Sequence, residues 1–154
     1  FNGEIYNFRE LRSDLEAQGF TFNGNSDTEV LLKLYLSEGP DLLSKLNGIF
    51  AFAILDLKSQ SILLARDSFG VKPLYYSEND NTFCFASEIK ALLALIPTKK
   101  EINIEAIDKY ISFLYCPGKE TPLNSVNKLL PGEAMIVSKG QIEKKWLWYT
   151  SSFF

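Results

Sequence analysis

The chain has 154 residues, 46% of them hydrophobic and 14% aromatic, which is enough for one sizeable core and too short for two comfortable domains. Its 16 basic and 19 acidic residues are interspersed and give a formal net charge of -3, which argues against nucleic acid as a partner. The longest apolar run, residues 49–55, is far shorter than the roughly 18 residues of a membrane span. No stretch has the features of a secretion signal, so we expect a soluble cytoplasmic protein with no membrane partner.

Histidine and cysteine usage limits the chemistry. The chain contains no histidine, which excludes a Ser-His-Asp triad, a Cys-His pair and a histidine-ligated metal site within it. We predict no metal site. The two cysteines, Cys84 and Cys116, form no CxxC motif and fit a reducing compartment. Cys84 lies between two phenylalanines and is expected to be an inert core thiol, and no base near Cys116 in the sequence supports reactivity.

The first 25 residues predict a strand, a helix and a second strand. Residues 1–6 have a strand pattern, and residues 7–18 have the apolar stripe of a helix. Asn7 is the predicted cap of this helix, and Glu10 completes a capping box. The stretch FTFN, residues 20–23, predicts a short strand.

A second helix is predicted within residues 26–40, where apolar residues recur at helical spacing before Gly39-Pro40. Its first residues, SDTE, match a capping box in which Ser26 caps the helix and Glu29 reaches back. Asp27 favours the positive end of the helix dipole, so a helix start alone explains this motif. A further helical turn is predicted over residues 41–46.

The remainder of the chain is rich in strands. We predict a first hairpin of strands 48–57 and 61–67, and a second of strands 73–77 and 82–87 around the turn ENDN. Two helices follow, over residues 87–95 and 104–114. A last hairpin turns at Lys139-Gly140. The first hairpin is apolar enough to be buried on both faces. Buried antiparallel strands between two groups of helices predict an α+β layered sandwich with helices on both sides of the sheets.

Several polar motifs have a simple local interpretation. Asn2-Gly3 alone indicates a turn or a strand irregularity. Arg66 and Asp67 are interpreted as an ion pair that holds a loop, and together with Lys72 we expect them to be structural.

Five segments, taken together, carry a family resemblance. FNGEIYNFRELR, SDTEVLLKLY, LNGIFAFAILD, LARDSFGVKPLYY and FASEIKALL, in this order and spacing, resemble the class II glutamine amidotransferase domain of glutamine-hydrolysing asparagine synthetases. The resemblance runs from Asn2 to Leu95 and more loosely to Tyr149. It implies the N-terminal nucleophile fold, a four-layer αββα sandwich of two antiparallel sheets between helical layers. Residues 1–115 are then a partial amidotransferase domain, and residues 116–154 its end and the lead-in to a synthetase domain.

The resemblance also implies roles for residues of this chain. In the family, a cysteine at the mature N-terminus attacks the side-chain amide of glutamine and its α-amino group is the base, so no histidine is needed. Asn2 and Gly3 match the oxyanion hole, as a side-chain amide and a backbone N–H donor. Asp27 matches the aspartate that binds the α-amino group of glutamine. Glu4 matches a pocket position in the same motif.

The chain departs from the family at both ends. The nucleophile and a carboxylate-binding arginine are expected upstream of Asn2-Gly3, and the S-G-G-x-D-S loop of the synthetase half does not occur. We therefore expect a fragment that lacks its N-terminal part, needs no cofactor of its own and is inactive alone. Its expected partners are glutamine and a C-terminal synthetase domain that uses ATP and magnesium to convert aspartate to asparagine, and the resemblance allows a homodimer.

Two alternatives remain open at this point. One is an asparagine synthetase-like amidotransferase that acts on a cell-surface sugar or another carboxylate, since its first half would look the same. The other is a non-catalytic interaction module that keeps a degenerate glutaminase fold.

Overall fold

A computed structural model describes residues 1–79, 82–96 and 101–150. Its strands are β1 (Asn2–Ile5), β2 (Gly48–Asp56), β3 (Ser61–Arg66), β4 (Tyr75–Asn79), β5 (Thr82–Ala86), β6 (Asn127–Lys128), β7 (Glu133–Ser138) and β8 (Gln141–Leu147). Its α-helices are α1 (Phe8–Ala17), α2 (Asp27–Glu38), α3 (Ile89–Leu95) and α4 (Ile104–Phe113), and Gly39–Lys45 form a 3-10 helix.

The strands form two antiparallel sheets. The first has the order β1-β2-β3-β7-β8 and the second the order β5-β4-β6. The predicted hairpins all occur, because the apolar runs pair with their neighbours in the chain: β2 with β3, β4 with β5, and β7 with β8. The middle of the predicted ENDN turn, residues 80 and 81, lies outside the described residues.

Three apolar clusters separate four layers. The first joins α1 and α2 to the five-stranded sheet through side chains such as Leu15, Leu34 and Phe50. The second lies between the sheets and includes Leu64 and Met135. The third packs α3 against β4 and β5. The order helices, sheet, sheet, helix confirms the predicted α+β αββα sandwich, and β1 lies at one edge of its larger sheet.

Three local predictions are wrong. Asn7 does not cap α1, because its side chain donates to Lys45 O at 2.9 Å and accepts from Asn47 N at 3.0 Å. Residues 20–23 form a loop, whose aromatic rings pack against the first cluster without joining a sheet. Glu29 does not complete a capping box but binds the loop before the helix, although Ser26 does cap α2. A contact distant in the sequence decides the outcome at Asn7, whereas Glu29 binds residues only five and six positions before it.

In the described part of the chain, no helix combines the length and the apolar character that a membrane crossing requires.

Candidate functional site

The Asn2-Gly3 pair lies on β1, at the edge of the five-stranded sheet. Asn2 is opposite Ala51 and Gly3 is opposite Phe50. Tyr6 N donates to the carbonyl of Asn47 across the same pairing. Backbone N–H groups alternate in direction along an antiparallel strand, so the N–H of Gly3 lies on the open edge, away from β2.

Gly3 has a structural reason to be glycine. Its φ is +146°, a conformation that residues with a side chain rarely adopt. A Cβ atom on Gly3 would overlap the carbonyl oxygen of Ile49 and lie 2.6 Å from the Cα of Phe50. The backbone of β2 therefore approaches Gly3 too closely for a side chain at that position.

Asp27 is adjacent to this edge. It is the first residue of α2, and its Oδ2 accepts a hydrogen bond from Ile5 N at 3.1 Å. The N–H groups of Ile5 and Gly3 point in the same direction, because the two residues are two positions apart on the same strand. Among the described residues, Asp27 Oδ1 has only a weak contact, with Thr28 Oγ1 at 3.4 Å. The structure thus brings Asp27 beside β1 across 22 residues of sequence and leaves one of its oxygens available to a cation.

Asn2 and Glu4 occupy the other face of the strand. Asn2 is opposite Ala51, which belongs to the cluster between the two sheets, whereas Ile5 belongs to the cluster under the helices. Both Asn2 and Glu4 are exposed. Within the described part of the chain, neither side chain has a hydrogen-bond partner. Asn2, Gly3 and Glu4 therefore lie on β1, and Asp27 is bound to the same strand. The side chains of Asn2 and Glu4 are open to a ligand.

The loop before α2 fixes the position of Asp27. Glu29 accepts hydrogen bonds from Asn23 N and Gly24 N, each at 2.9 Å, and these bonds hold the pKa of Glu29 below its ordinary value. Arg12 donates to the carbonyl oxygen of Gly24 at 2.7 Å and lies over the ring of Phe22. The start of α2 is therefore tied to its own loop and to α1.

Arg66 does not form the ion pair with Asp67 that we expected, although it does hold a loop. Its guanidinium donates to three carbonyl oxygens, those of Gly70, Lys72 and Leu129, at 2.6 to 2.7 Å. Burial lowers the pKa of Arg66, and the nearby charge of Asp67 acts in the opposite direction. The structural interpretation of Arg66 therefore stands, with backbone oxygens as its partners.

Asp67 was not a predicted site residue, yet it is aligned with Gly3 across the sheet, because both residues are opposite Phe50. It is fully buried, and its carboxylate accepts hydrogen bonds from four backbone N–H groups, including that of Phe50. Phe50 is the residue opposite Gly3. In the sequence, only the Arg66-Asp67 pair pointed to this residue, and local rules predicted that the pair would hold its own loop and not contact Phe50.

A groove of about 430 Å³ borders the site, between the start of α2 and the edge of β2. Its lining is mostly apolar and includes Phe1, Ser26, Thr28 and Leu55. No group of three or more histidine, cysteine or acidic residues in the described ranges could hold a metal ion. The chemistry available at this edge is therefore hydrogen-bond donation and a carboxylate charge.

Comparison with known families gives a match over nearly the whole chain. A model for the glutamine amidotransferase domain family matches residues 1–148. The chain is 45% identical over 137 residues to glutamine-hydrolysing asparagine synthetase 1 of Bacillus subtilis strain 168, covering 89% of this chain and 22% of that protein. It is 36% identical over 154 residues to synthetase 3 of the same strain, covering 99% of this chain and 25% of that protein. The chain spans about a quarter of the length of these curated relatives.

A solved structure has the same fold. Glutamine phosphoribosylpyrophosphate amidotransferase from B. subtilis, complexed with ADP and GMP, matches with a TM-score of 0.65. The match covers 97% of this chain and 28% of that chain at 23% sequence identity. At this identity the likeness concerns the fold alone, and it confirms the fold predicted from the sequence.

Proposed function

The chain belongs to the glutamine amidotransferase domain family, and on that premise we propose that it is the glutaminase part of a longer, ATP-dependent asparagine synthetase. The longer protein that carries residues 1–154 is called the full-length protein below. In this proposal it hydrolyses glutamine to glutamate and ammonia, and the ammonia amidates aspartate.

Asp27 binds the α-ammonium group of glutamine in this proposal. The hydrogen bond from Ile5 N fixes one carboxylate oxygen, and Oδ1 is left to accept from the ammonium group. A charge-assisted hydrogen bond of this kind is about twice as strong as a neutral one. It also distinguishes free glutamine from a glutamine residue within a peptide, which has no α-ammonium group.

Asn2 and Gly3 stabilise the charge that develops on the amide oxygen of glutamine. A cysteine thiolate attacks the amide carbon, and the carbonyl oxygen becomes an oxyanion that accepts from the Asn2 side-chain amide and the Gly3 backbone N–H. The α-amino group of that cysteine takes the thiol proton and passes it to the leaving nitrogen. Ammonia leaves, and water hydrolyses the thioester to glutamate, so no step requires the histidine that the chain lacks.

The nucleophile in this proposal is an N-terminal cysteine outside residues 1–154. Cys84 packs in the cluster under α3, and the Cys116 thiol donates to the carbonyl of Ala106, so neither is assigned a catalytic role. Glu4, exposed on the same strand as Asn2, is assigned to the wall of the glutamine pocket.

The remaining partners belong to the full-length protein. A synthetase part would use ATP and magnesium to activate aspartate, and residues 116–154 would lead towards it. Assembly as a homodimer and a cytoplasmic location are parts of the same proposal. Light scattering on the purified full-length protein measures its oligomeric state directly.

The hydrogen bond between Asp27 and Ile5 is the observation that supports this function most, because it places a carboxylate beside the proposed oxyanion donors. The test is to incubate the full-length protein with glutamine, ATP and aspartate and to quantify both products. We expect equal amounts of glutamate and asparagine. Glutamate without asparagine would indicate a different acceptor, and neither product would indicate a non-catalytic module.

A further inference from the structure

Asp67 takes the place of a backbone acceptor at the point where β3 leaves the sheet. Asp67 N donates to the carbonyl of Phe50 at 2.7 Å, as a continued ladder requires. The Asp67 carbonyl, however, accepts from Gly70 N at 3.1 Å and Gly132 N at 2.8 Å. Phe50 N is instead 3.3 Å from Asp67 Oδ2. The side chain therefore completes the pairing that the main chain abandons.

In the described part of the chain, every hydrogen-bond donor to the Asp67 carboxylate is a backbone N–H group. The carboxylate is fully buried, and besides Phe50 N it accepts from Phe69 N, Val71 N and Lys72 N at 3.0 to 3.1 Å. Among the described residues it is not a member of any ion pair. A buried carboxylate is tolerated when several N–H groups donate to it, and such charge-assisted bonds are strong and directional. The carboxylate therefore connects a loop rigidly to β2.

Phe50 transmits this connection to the proposed oxyanion hole. Phe50 lies opposite Gly3, and the main chains are so close that a Cβ on Gly3 would be 2.6 Å from the Cα of Phe50. Because the two residues are register partners on adjacent strands, we expect a displacement of Phe50 to move Gly3. We propose that Asp67 is a positioning residue that sets the direction of the Gly3 N–H through Phe50. The catalytic part of this inference rests on the function proposed above.

Arg66 provides a matched control, because it holds the same loop and, among the described residues, its side chain makes no hydrogen bond to Phe50. Its guanidinium donates to the carbonyl oxygens of Gly70 and Lys72, within the loop, and of Leu129. If Asp67 only stabilises the loop, loss of either side chain has the same consequence for glutamine use. If Asp67 positions Gly3, the two variants differ.

The first measurement needs no enzymatic activity. In a ¹⁵N-labelled polypeptide of residues 1–154, Asp67→Asn leaves a single acceptor oxygen for four N–H groups. We expect hydrogen exchange at Phe50 N to accelerate at least about tenfold and the amide signal of Gly3 to shift. Arg66→Lys should move signals of residues 68–72 and of residues around Leu129, whose carbonyl oxygens Arg66 binds, and should leave the Gly3 signal in place. An unchanged Gly3 signal in Asp67→Asn would overturn the inference.

The second measurement uses the full-length protein. Asp67→Asn should lower kcat with glutamine by about 10²-fold, the typical effect of losing one oxyanion donor, with little change in KM. Synthesis from ammonia should stay at the wild-type rate. Arg66→Lys should change kcat with glutamine no more than it changes kcat with ammonia. Equal effects of both variants, or a change of KM alone, would contradict the positioning role.

Two further outcomes are decisive. If Asp67→Asn does not fold, Asp67→Glu keeps the charge and both acceptors but alters their distance from Phe50 N. Its kcat with glutamine should then fall while ammonia-dependent synthesis persists, and an unchanged glutamine kcat would overturn the inference. If the wild-type protein consumes no glutamine, the proposed function fails, and the Gly3 amide signal still decides whether Asp67 positions that strand.

Discussion

Asp27 Oδ2 accepts a hydrogen bond from the backbone N–H of Ile5 at 3.1 Å, and this bond joins the first turn of α2 to the edge strand β1. The bond uses one oxygen of the carboxylate and fixes the direction of the other. The edge strand also carries Asn2 and Gly3, so two elements that are distant in sequence meet at one place.

The charge of Asp27 can be separated from its structural bond. Asp27→Asn keeps a carbonyl oxygen that can accept from Ile5 N but removes the negative charge. We expect KM for glutamine in the full-length protein to rise about 10- to 100-fold, because a hydrogen bond to a charged group contributes about 1.5–3 kcal/mol. Steady-state kinetics with glutamine and with ammonia measures this. Asp14→Asn, an exposed change on α1, is the control, and an equal rise of KM in both variants would contradict the role of Asp27.

Gly3 should tolerate no side chain, for a reason independent of glutamine. Gly3→Ala creates an overlap with the carbonyl of Ile49 and forces alanine to φ +146°. We expect it to lower the free energy of unfolding of the 154-residue polypeptide by at least about 2 kcal/mol, since a strained backbone alone costs of order 1–3 kcal/mol. Urea denaturation measures the change.

Gly19→Ala is the matched control for this substitution. Gly19 also has a positive φ, +93°, but a Cβ there would meet nothing within 4 Å. The difference between the two variants therefore isolates the close approach of β1 to β2. Equal destabilisation would show that backbone conformation alone requires glycine at position 3.

The strands of the three hairpins were the most predictable part of this fold. The runs that became β2 and β3 are mostly apolar, and burial of their central residues on both faces follows from that composition. Helix α2 was equally clear, because Ser26 caps it through a contact only three residues away. Residues 127–128, which form the short strand β6, carry no pattern that could have revealed them.

The failures at Asn7 and Asp67 came from contacts that no local pattern contains. Asn7 resembles a helix cap, but its side chain binds residues about 40 positions away. The site shows the same limit. Residue identities at positions 2 and 27 could be matched to a family, whereas the bond from Ile5 N to Asp27 depends on the folded chain. The buried Asp67 was assigned to its own loop because Phe50, its partner on the neighbouring strand β2, is 17 residues away in the sequence.

Glu29 should make stability depend on pH in the acid range. Its folded-state pKa lies below the ordinary value of 4.5, because Asn23 N and Gly24 N donate to its carboxylate. A depressed pKa contributes stability above the unfolded-state value, and this contribution is lost as pH falls through the folded-state value. We expect Glu29→Gln to lower Tm at pH 7 and the difference from wild type to disappear on acidification below pH about 4.5. A Tm difference that is constant from pH 7 to pH 3 would contradict this.

The 154-residue polypeptide should not hydrolyse glutamine by itself. Neither of its two cysteines, Cys84 and Cys116, is assigned to the site. A coupled assay for glutamate on a homogeneous sample of confirmed mass measures this activity. Glutamate release above the rate of a Cys84→Ala, Cys116→Ala double variant would show that one of these thiols is a nucleophile.

The claim that Asn2 donates to the oxyanion is tested most directly by the ratio of glutamine-dependent to ammonia-dependent synthesis in Asn2→Ala of the full-length protein. The exposed Asn2 side chain has no hydrogen-bond partner among the described residues, so its removal should leave the fold intact. We predict that the ratio falls about 10²- to 10³-fold, as for other lost oxyanion donors, with ammonia-dependent synthesis nearly unchanged. Equal loss of both activities, or an unchanged ratio, would contradict the account.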